Sequence, residues 1–296
     1  MLRKIKRYIN RLVYPPMGDI LIFHRVTSNT SVLQGNRQHE VTPEFLENTI
    51  LEYKAKGYEF ISMDEVCQRF LASRHFSTRF VCFTLDDGYL DNYTEAYPIF
   101  EKYQCPFTIY VTTDYISHTA FLWRYILADL IMENDTLSLA NGEKFICKTV
   151  AAKNELFDQL NTYFIHKPLS DIRELLSSYN FSVEEYACTL LMSEEHLKAI
   201  SADILCTIGS HTLSHPHLSW ISSDEQEREV VESKRVLEKL IDKPILHFSY
   251  PYGDYTSESI KIVQEAGYKS AVVAWGGFLR HNQTLYTMSR CIITDI

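Results

Sequence analysis

Three short stretches hold the residues best suited to chemistry. In "VCFTLDDGYLDNY" an apolar run ends in Asp86-Asp87-Gly88. Neighbouring residues leaving a strand point in different directions. One carboxylate can therefore bind a metal while the other stays free as a base, and Gly88 permits the tight turn that follows. In "IGSHTLSHPHLS" His211 and His215 stand four apart, directly after the apolar run "DILCTI", and Pro216 fixes the chain beyond the second. Residues at this spacing share a face on a helical turn. Two imidazoles and one carboxylate make a three-ligand set that keeps a position open for water, the pattern of catalytic zinc sites. His217 follows closely and reads as an exposed neighbour. In "HFSYPYGDY" Pro251 and Gly253 shape a loop whose N–H groups can face a developing oxyanion, and Tyr250 and Tyr252 can wall a binding site. A fourth feature is less defined. In "ILIFHRV" His24 follows a purely apolar run and Arg25 follows it. Taken alone, such a histidine is more often a packed core residue than a catalyst.

Elements must bring these stretches together. Apolar, β-rich runs at 19–24, 58–61, 80–85, 106–112, 204–210, 245–250, 270–274 and 286–293 read as strands. Amphipathic segments lie between them. "TPEFLENTILEYKAKG" has Thr42 as its N-cap, Pro43 at the first helical position and Gly57 at its stop. "SMDEVCQRFLAS" and "DNYTEAYPIFEKYQ" follow, then the charged "SSDEQEREVVESKRVLEKLIDKP" and "TSESIKIVQEAG". So regular an alternation predicts an α/β fold with a parallel sheet or a β/α barrel. In a barrel, the carboxyl ends of the strands are where catalytic groups gather. Residues 117–200 break the alternation and read as a mostly helical insertion.

Composition narrows the field. The 296 residues are 46% hydrophobic and 13% aromatic, with ten glycines and nine prolines, enough for a sizeable packed core. A formal net charge of -9 argues against general nucleic-acid binding. Seven scattered cysteines without a C-x-x-C pair suit reduced, buried thiols in a cytoplasmic protein. The opening "MLRKIKRYINRLVYPP" carries five Lys/Arg in its first eleven residues but no apolar core and cleavage site of a secretory signal. Its apolar residues Leu2, Ile5, Ile9 and Leu12 lie roughly on one helical face. Residues 1–17 thus form a basic amphipathic segment. Either it packs on the domain, or residues 1–13 rest on anionic lipid at the inner face of the membrane.

In their fixed order the three stretches resemble the polysaccharide deacetylases of carbohydrate esterase family four. The family's T-F-D-D-G appears as Thr84-Leu85-Asp86-Asp87-Gly88, its H-[ST]-x-x-H-P as His211-Thr212-Leu213-Ser214-His215-Pro216, and its P-[YF]-G as Pro251-Tyr252-Gly253. The resemblance covers roughly residues 18–112 and 203–293 and implies a deformed (β/α)7 barrel spanning 18–296, interrupted by the insertion. It implies Asp86 as catalytic base, Asp87, His211 and His215 as ligands of a divalent metal, Zn2+ above all, and the backbone N–H of Tyr252 as oxyanion donor. Tyr250, Pro251 and Trp275 become candidates for contact with a carbohydrate substrate. The implied reaction is hydrolytic removal of N-acetyl groups from amino sugars of a glycan or a lipid-linked glycan precursor.

Two positions depart from the family's commoner pattern. Its base-orienting arginine, two residues before the proline, is Ser249 here. Its carboxy-terminal L-x-H, which holds the general acid, is replaced by "YTMSRCIITD", with Arg290 and no histidine. A circularly permuted branch carries that histidine in an amino-terminal strand similar to Phe23-His24-Arg25-Val26, which implies His24 as general acid. Arg25 and Arg290 are both candidates to orient the base. The alternatives are an O-acetyl esterase on the same scaffold and a catalytically inactive glycan-binding protein.

Overall fold

The structure is a computed structural model and describes residues 16–72, 79–280 and 282–295. The expected amphipathic segment, and with it the expected membrane contact of residues 1–13, lies outside the described residues. Among those described, no helix is long and apolar enough to cross a membrane, and the cysteines form no disulfide.

Seven parallel strands close into a barrel in chain order. They are β1 (Pro16–Phe23), β2 (Phe80–Asp87), β3 (Phe107–Val111), β4 (Cys206–Ser210), β5 (His247–Ser249), β6 (Ser270–Gly276) and β7 (Met288–Ile292). Each pairs with the next. β7 returns to β1 with Leu21 opposite Cys291, and β1 runs beside β2 from Gly18–Phe80 to Phe23–Leu85. The barrel is thinnest at β5, which meets β4 through the single pair Phe248–Ser210. The run at 58–61 is no barrel strand. Only Glu59–Phe60 pairs, with Phe80 and Val81, at the start of β2 before the β3 register begins.

Side-chain alternation along the strands decides what faces the lumen. In β2, Phe83 and Leu85 join the layer between barrel and helices, packed with Leu21 and Phe23 of β1. Cys82 packs on the opposite side with Ile20 and Tyr110. The same parity aims Thr84 and Asp86 inward.

Helices α1 (Pro43–Ala55), α2 (Met63–Ala72) and α3 (Tyr97–Tyr103) cover the first strands. Thr42 caps α1 by accepting the Phe45 N–H, with Pro43 in the first turn. The expected helix over 91–104 opens instead as a wide turn, Asn92–Ala96, before regular geometry begins at Tyr97. Pro98 has no N–H for a regular bond one turn back, which accounts for the change of winding.

The insertion carries α4 (Trp123–Glu133), α5 (Val150–Phe164), α6 (Leu169–Leu175), α7 (Val183–Leu190) and α8 (Glu194–Ser201), plus a short hairpin of Thr136–Ser138 and Lys144–Ile146. It has its own apolar core, including Leu127, Ile131, Phe157 and Phe164, into which Leu33 also plugs. α9 (Ser223–Ile241) begins with a Ser222–Glu225 capping box, and α10 (Ser257–Glu265) with a Thr256–Ser259 box; together they complete the outer layer.

Candidate metal centre and active site

The sequence motifs meet at the carboxyl ends of the barrel strands. Asp86 is the last lumen-facing side chain of β2. At Asp87 the chain turns with φ 79°, and Gly88 follows at 91°. His211 leaves β4 directly, and Thr212 and His215 in the next turn have φ of 70° and 64°. Tyr252 has φ 59°. Left-handed backbone is disfavoured for such residues and persists only where the surroundings enforce it. Among the described residues, four of the seven non-glycine positions of this kind fall in the three motifs, so these turns are shaped to aim side chains.

They converge on one point. Asp87 Oδ1 lies 3.6 Å from His211 Nε2 and 3.3 Å from His215 Nε2. Two ligands at about 2.0–2.1 Å from a tetrahedral Zn2+ stand about 3.4 Å apart, so the set matches a shared cation. Asp87 Oδ1 is buried without any hydrogen-bond partner, a state that a buried oxygen avoids unless a ligand satisfies it. Burial, and then the neighbouring Asp86 charge, push the Asp87 carboxyl up to about 7, a penalty on its charged form that a bound cation would relieve. His211 Nδ1–H donates to the Ser249 carbonyl at 2.7 Å, which leaves the Nε2 lone pair turned to the site. Burial lowers His211, and burial with the nearby His211 ring pushes His215 well down, so both imidazoles favour the neutral form, the one that ligates. The donor set fits a divalent metal.

The turn that carries the two histidines is held from outside by a residue no motif announced. Glu229, buried on α9, accepts the N–H groups of Leu213 and Ser214 at 2.9 Å each and the Ser214 hydroxyl at 2.8 Å. Nothing in the sequence distinguishes it from the other acidic residues of that helix.

Arg290 orients Asp86, and Arg25 does not. From β7, Arg290 donates Nη1 to Oδ1 at 2.7 Å and Nη2 to Oδ2 at 2.6 Å. Its remaining N–H groups go to Thr84 Oγ1, Ser249 Oγ and the Val273 carbonyl. All five donors of this fully buried guanidinium have an acceptor. Ser249, at the position where the commoner pattern has arginine, is thereby part of the clasp, donating its hydroxyl to Asp86 at 3.2 Å. Burial alone would raise the Asp86 carboxyl. The Arg290 charge, with His211 beside it, outweighs burial and holds it well below the usual range. Arg25 points elsewhere. Its Nε donates to Asp91 Oδ2 at 2.7 Å, and the guanidinium sits between the rings of Tyr89 and Tyr125.

His24 lines the same cavity of about 460 Å³ as Asp86, Asp87, His211, His215 and Tyr252. Its carbonyl accepts the Asn92 amide at 2.8 Å, and Asp91 takes the Val26 N–H, so the end of β1 is pinned to the turn after Asp86-Asp87-Gly88. Burial lowers the imidazole to about 4 against the opposing pull of Asp86, with Arg290 and His211 adding to the fall. His39, unremarked in the sequence, packs edge-on against it at 5.0 Å. Arg124 of the insertion enters the same cavity, anchored on Asn36 Oδ1 at 2.9 Å and on the Gly35 carbonyl.

The expected sugar contacts need correction. Tyr250 is fully buried against Phe248 and Tyr255 in the layer beneath the helices. Ser249 faces the lumen, so alternation turns its neighbour outward. Pro251 is buried and lines no part of the cavity. Trp275 donates Nε1–H to the Gly253 carbonyl at 3.1 Å, bracing the loop, and does not line the cavity. Tyr252 alone of that stretch reaches the cavity, its ring edge-on to His215 at 4.6 Å. His217 is not an exposed bystander. It lies flat against Tyr252, ring centroids 3.8 Å apart.

The sequence model of the polysaccharide deacetylase family matches residues 73–271. The chain belongs to this family. The stretch matched to the polysaccharide deacetylases holds Asp86, Asp87, His211, His215 and Tyr252 and stops short of both His24 and Arg290. YxkH of Bacillus subtilis (strain 168), named for the same family, is 21% identical over 276 residues, 93% of this chain and 71% of that protein. The peptidoglycan-N-acetylglucosamine deacetylase of Bacillus cereus is 32% identical over 69 residues, covering 23% of this chain and 32% of that one. Among solved structures, the Streptococcus pyogenes deacetylase PplD in complex with acetate superimposes with a TM-score of 0.65 at 20% identity, over 94% of this chain and 93% of that one. IcaB from Ammonifex degensii gives 0.62 at 16% identity, over 95% and 93%. These likenesses carry the (β/α)7 barrel of the polysaccharide deacetylases.

Proposed function

We propose that the protein is a divalent-metal-dependent hydrolase that removes N-acetyl groups from amino sugars of a glycan or a lipid-linked glycan precursor. The observation that carries this reading is the orphaned Asp87 Oδ1 facing His211 Nε2 and His215 Nε2 at ligand spacing, next to a carboxylate clasped by arginine. When bound there, a divalent ion such as Zn2+ lowers the pKa of water and polarises an acyl oxygen.

The chain's own groups supply the rest. Arg290 keeps Asp86 ionised, so the base is always in the form that takes a proton. Each carboxylate oxygen has two lone pairs, and the clasp leaves room for a water to donate. The Tyr252 N–H, on the strained loop, is the donor assigned to the developing oxyanion. His24 is assigned to the leaving nitrogen. Because burial favours its neutral form, the proton it passes to the nitrogen is the one that leaves the attacking water through Asp86, so no net proton is gained or lost.

That neutral resting His24 also favours a second reading, an O-acetyl esterase, since an ester's leaving group needs less protonation. The third reading, a non-catalytic glycan binder, loses much of its support, because the arginine absent from the third motif has its counterpart in Arg290.

The test is acetate release from a panel of N-acetylhexosamine oligomers and O-acetylated sugars, with and without chelator. N-deacetylation abolished by chelator and by Asp87→Ala is expected. Release confined to O-acetyl substrates moves the assignment to the esterase. Release that persists in Asp87→Ala overturns both.

A further inference from the structure

The catalytic cavity holds a cation that the chemistry above does not use. Among the described residues that line it, the side chains of fixed charge type are Asp86, Asp87 and Arg124. Asp86 is matched by Arg290, and Asp87 faces the two ligand histidines. Arg124, in the first turn of α4, has no such match. Among the described residues its partners are all neutral. Nε donates to Asn36 Oδ1 at 2.9 Å, Nη2 donates to the Gly35 carbonyl, and the guanidinium lies 5.7 Å from the centre of the Phe157 ring.

These partners fix the side chain without neutralising it. Asn36 is buried. Gly35 lies so close to Phe157 of α5 that a Cβ there would stand 2.5 Å from the ring, so the turn that holds Arg124 packs as tightly as a glycine allows. Both acceptors sit along one edge of the guanidinium, the Nε–Nη2 edge. The Nη1–Nη2 edge carries two parallel N–H groups and has no acceptor among the described residues. Such an edge fits the paired oxygens of a carboxylate or a phosphate. An uncharged donor would tie Asn36 and Gly35 equally well. What the charge and the second edge add is affinity for an anion. The charge also reaches the reacting groups: His24 and His39, lowered first by burial, are lowered further by Arg124.

We propose that Arg124 is the receptor for an oxyanion, a carboxylate or a phosphate, that the substrate carries on or next to the sugar that loses its acetyl group. This rests on the functional reading above and narrows its substrate class to acidic glycans or sugar phosphates. Arg124 enters the cavity from the insertion, while Asp87 and His215 enter from the barrel. One bound molecule therefore presents its acetyl group to the barrel and its anion to the insertion.

The experiment compares the full-length, metal-loaded wild type with Arg124→Gln and Arg124→Lys on three probes. These are the neutral methyl glycoside of N-acetylglucosamine, its 1-phosphate, and its disaccharide with glucuronic acid. For the wild type, kcat/KM on at least one anionic probe exceeds that on the neutral one by about tenfold or more. Arg124→Gln loses at least about tenfold on that probe and under about threefold on the neutral one. Arg124→Lys, with the charge but not the paired edge, recovers only part. Preference for the 1-phosphate names a sugar phosphate as the source of the anion, and preference for the glucuronate names an acidic glycan. No preference for either anionic probe, or an equal loss on all three, overturns the proposal. Calorimetry in an Asp86→Asn background, which keeps Asp87, His211 and His215, reads binding without turnover. There Arg124→Gln weakens the anionic probe at least about fivefold. Unchanged affinity places the anion elsewhere, on the metal for instance, and contradicts the proposal. A wild type that binds an anionic probe in an Arg124-dependent way yet releases no acetate refutes the catalytic reading and leaves the receptor standing.

Discussion

Asp86 owes its orientation to an arginine near the far end of the chain. The clasp by Arg290 engages both carboxylate oxygens and uses all five guanidinium donors, a geometry that a lysine ammonium cannot reproduce. Arg290→Lys should lower kcat/KM by about a hundredfold or more, the range seen when a catalytic group loses its alignment. It should also move the acid limb of the pH profile upward, because the charge that holds the Asp86 carboxyl low is displaced while the desolvation that raises it remains. An unmoved acid limb would make Arg290 a packing residue only. Asp86, Asp87, His211 and His215 were legible in the sequence because each pair is local and its chemistry depends on near neighbours. The choice between Arg25 and Arg290 was not, since it depends on β7 closing onto β1. The burial of Tyr250 is not legible either, because strand parity is set by Ser249 facing Asp86, a contact across 163 residues.

At the scale of elements, the end of β1 and the connection after it place two imidazoles in the cavity wall. Strand, helix and turn signals foresaw β1 itself, and the Thr42 cap and Pro43 marked α1. The pairing of His24 with His39 was hidden, because the return of the loop to the barrel mouth leaves no local pattern. It has a thermodynamic consequence. Burial lowers His24 from 6.5 to about 4 and His39 to about 2. As pH falls below about 6.5 the unfolded chain takes up these protons before the folded chain does. The contribution to stability is therefore fully present above 6.5 and is lost as pH falls toward 4, by at most about 1.4 kcal/mol per pH unit for each group. His39→Asn removes one of the two. Its denaturant-derived stability should fall less steeply than that of the wild type between pH 6 and 4, and parallel curves would rule the linkage out.

At the scale of the whole molecule, the barrel carries the motif residues and the insertion walls the cavity beside them. Trp123, Arg124 and Ile165 of the insertion line the catalytic cavity. Met192, just beyond α7, donates its N–H to the Gly88 carbonyl at 3.1 Å and so touches the Asp-Asp-Gly turn itself. The alternation of strands and helices made the barrel legible, and the break in that alternation marked the insertion. Neither showed that the insertion packs over the site, because its apolar core is built mostly from its own helices and its contacts with the barrel mouth are few and long-range. The account stands on a metal held by Asp87, His211 and His215. Elemental analysis of purified wild type, Asp87→Ala and His211→Ala, each shown folded by circular dichroism, tests this most directly. About one divalent ion per chain in the wild type and almost none in either variant is the predicted result. Equal metal content in all three would contradict it.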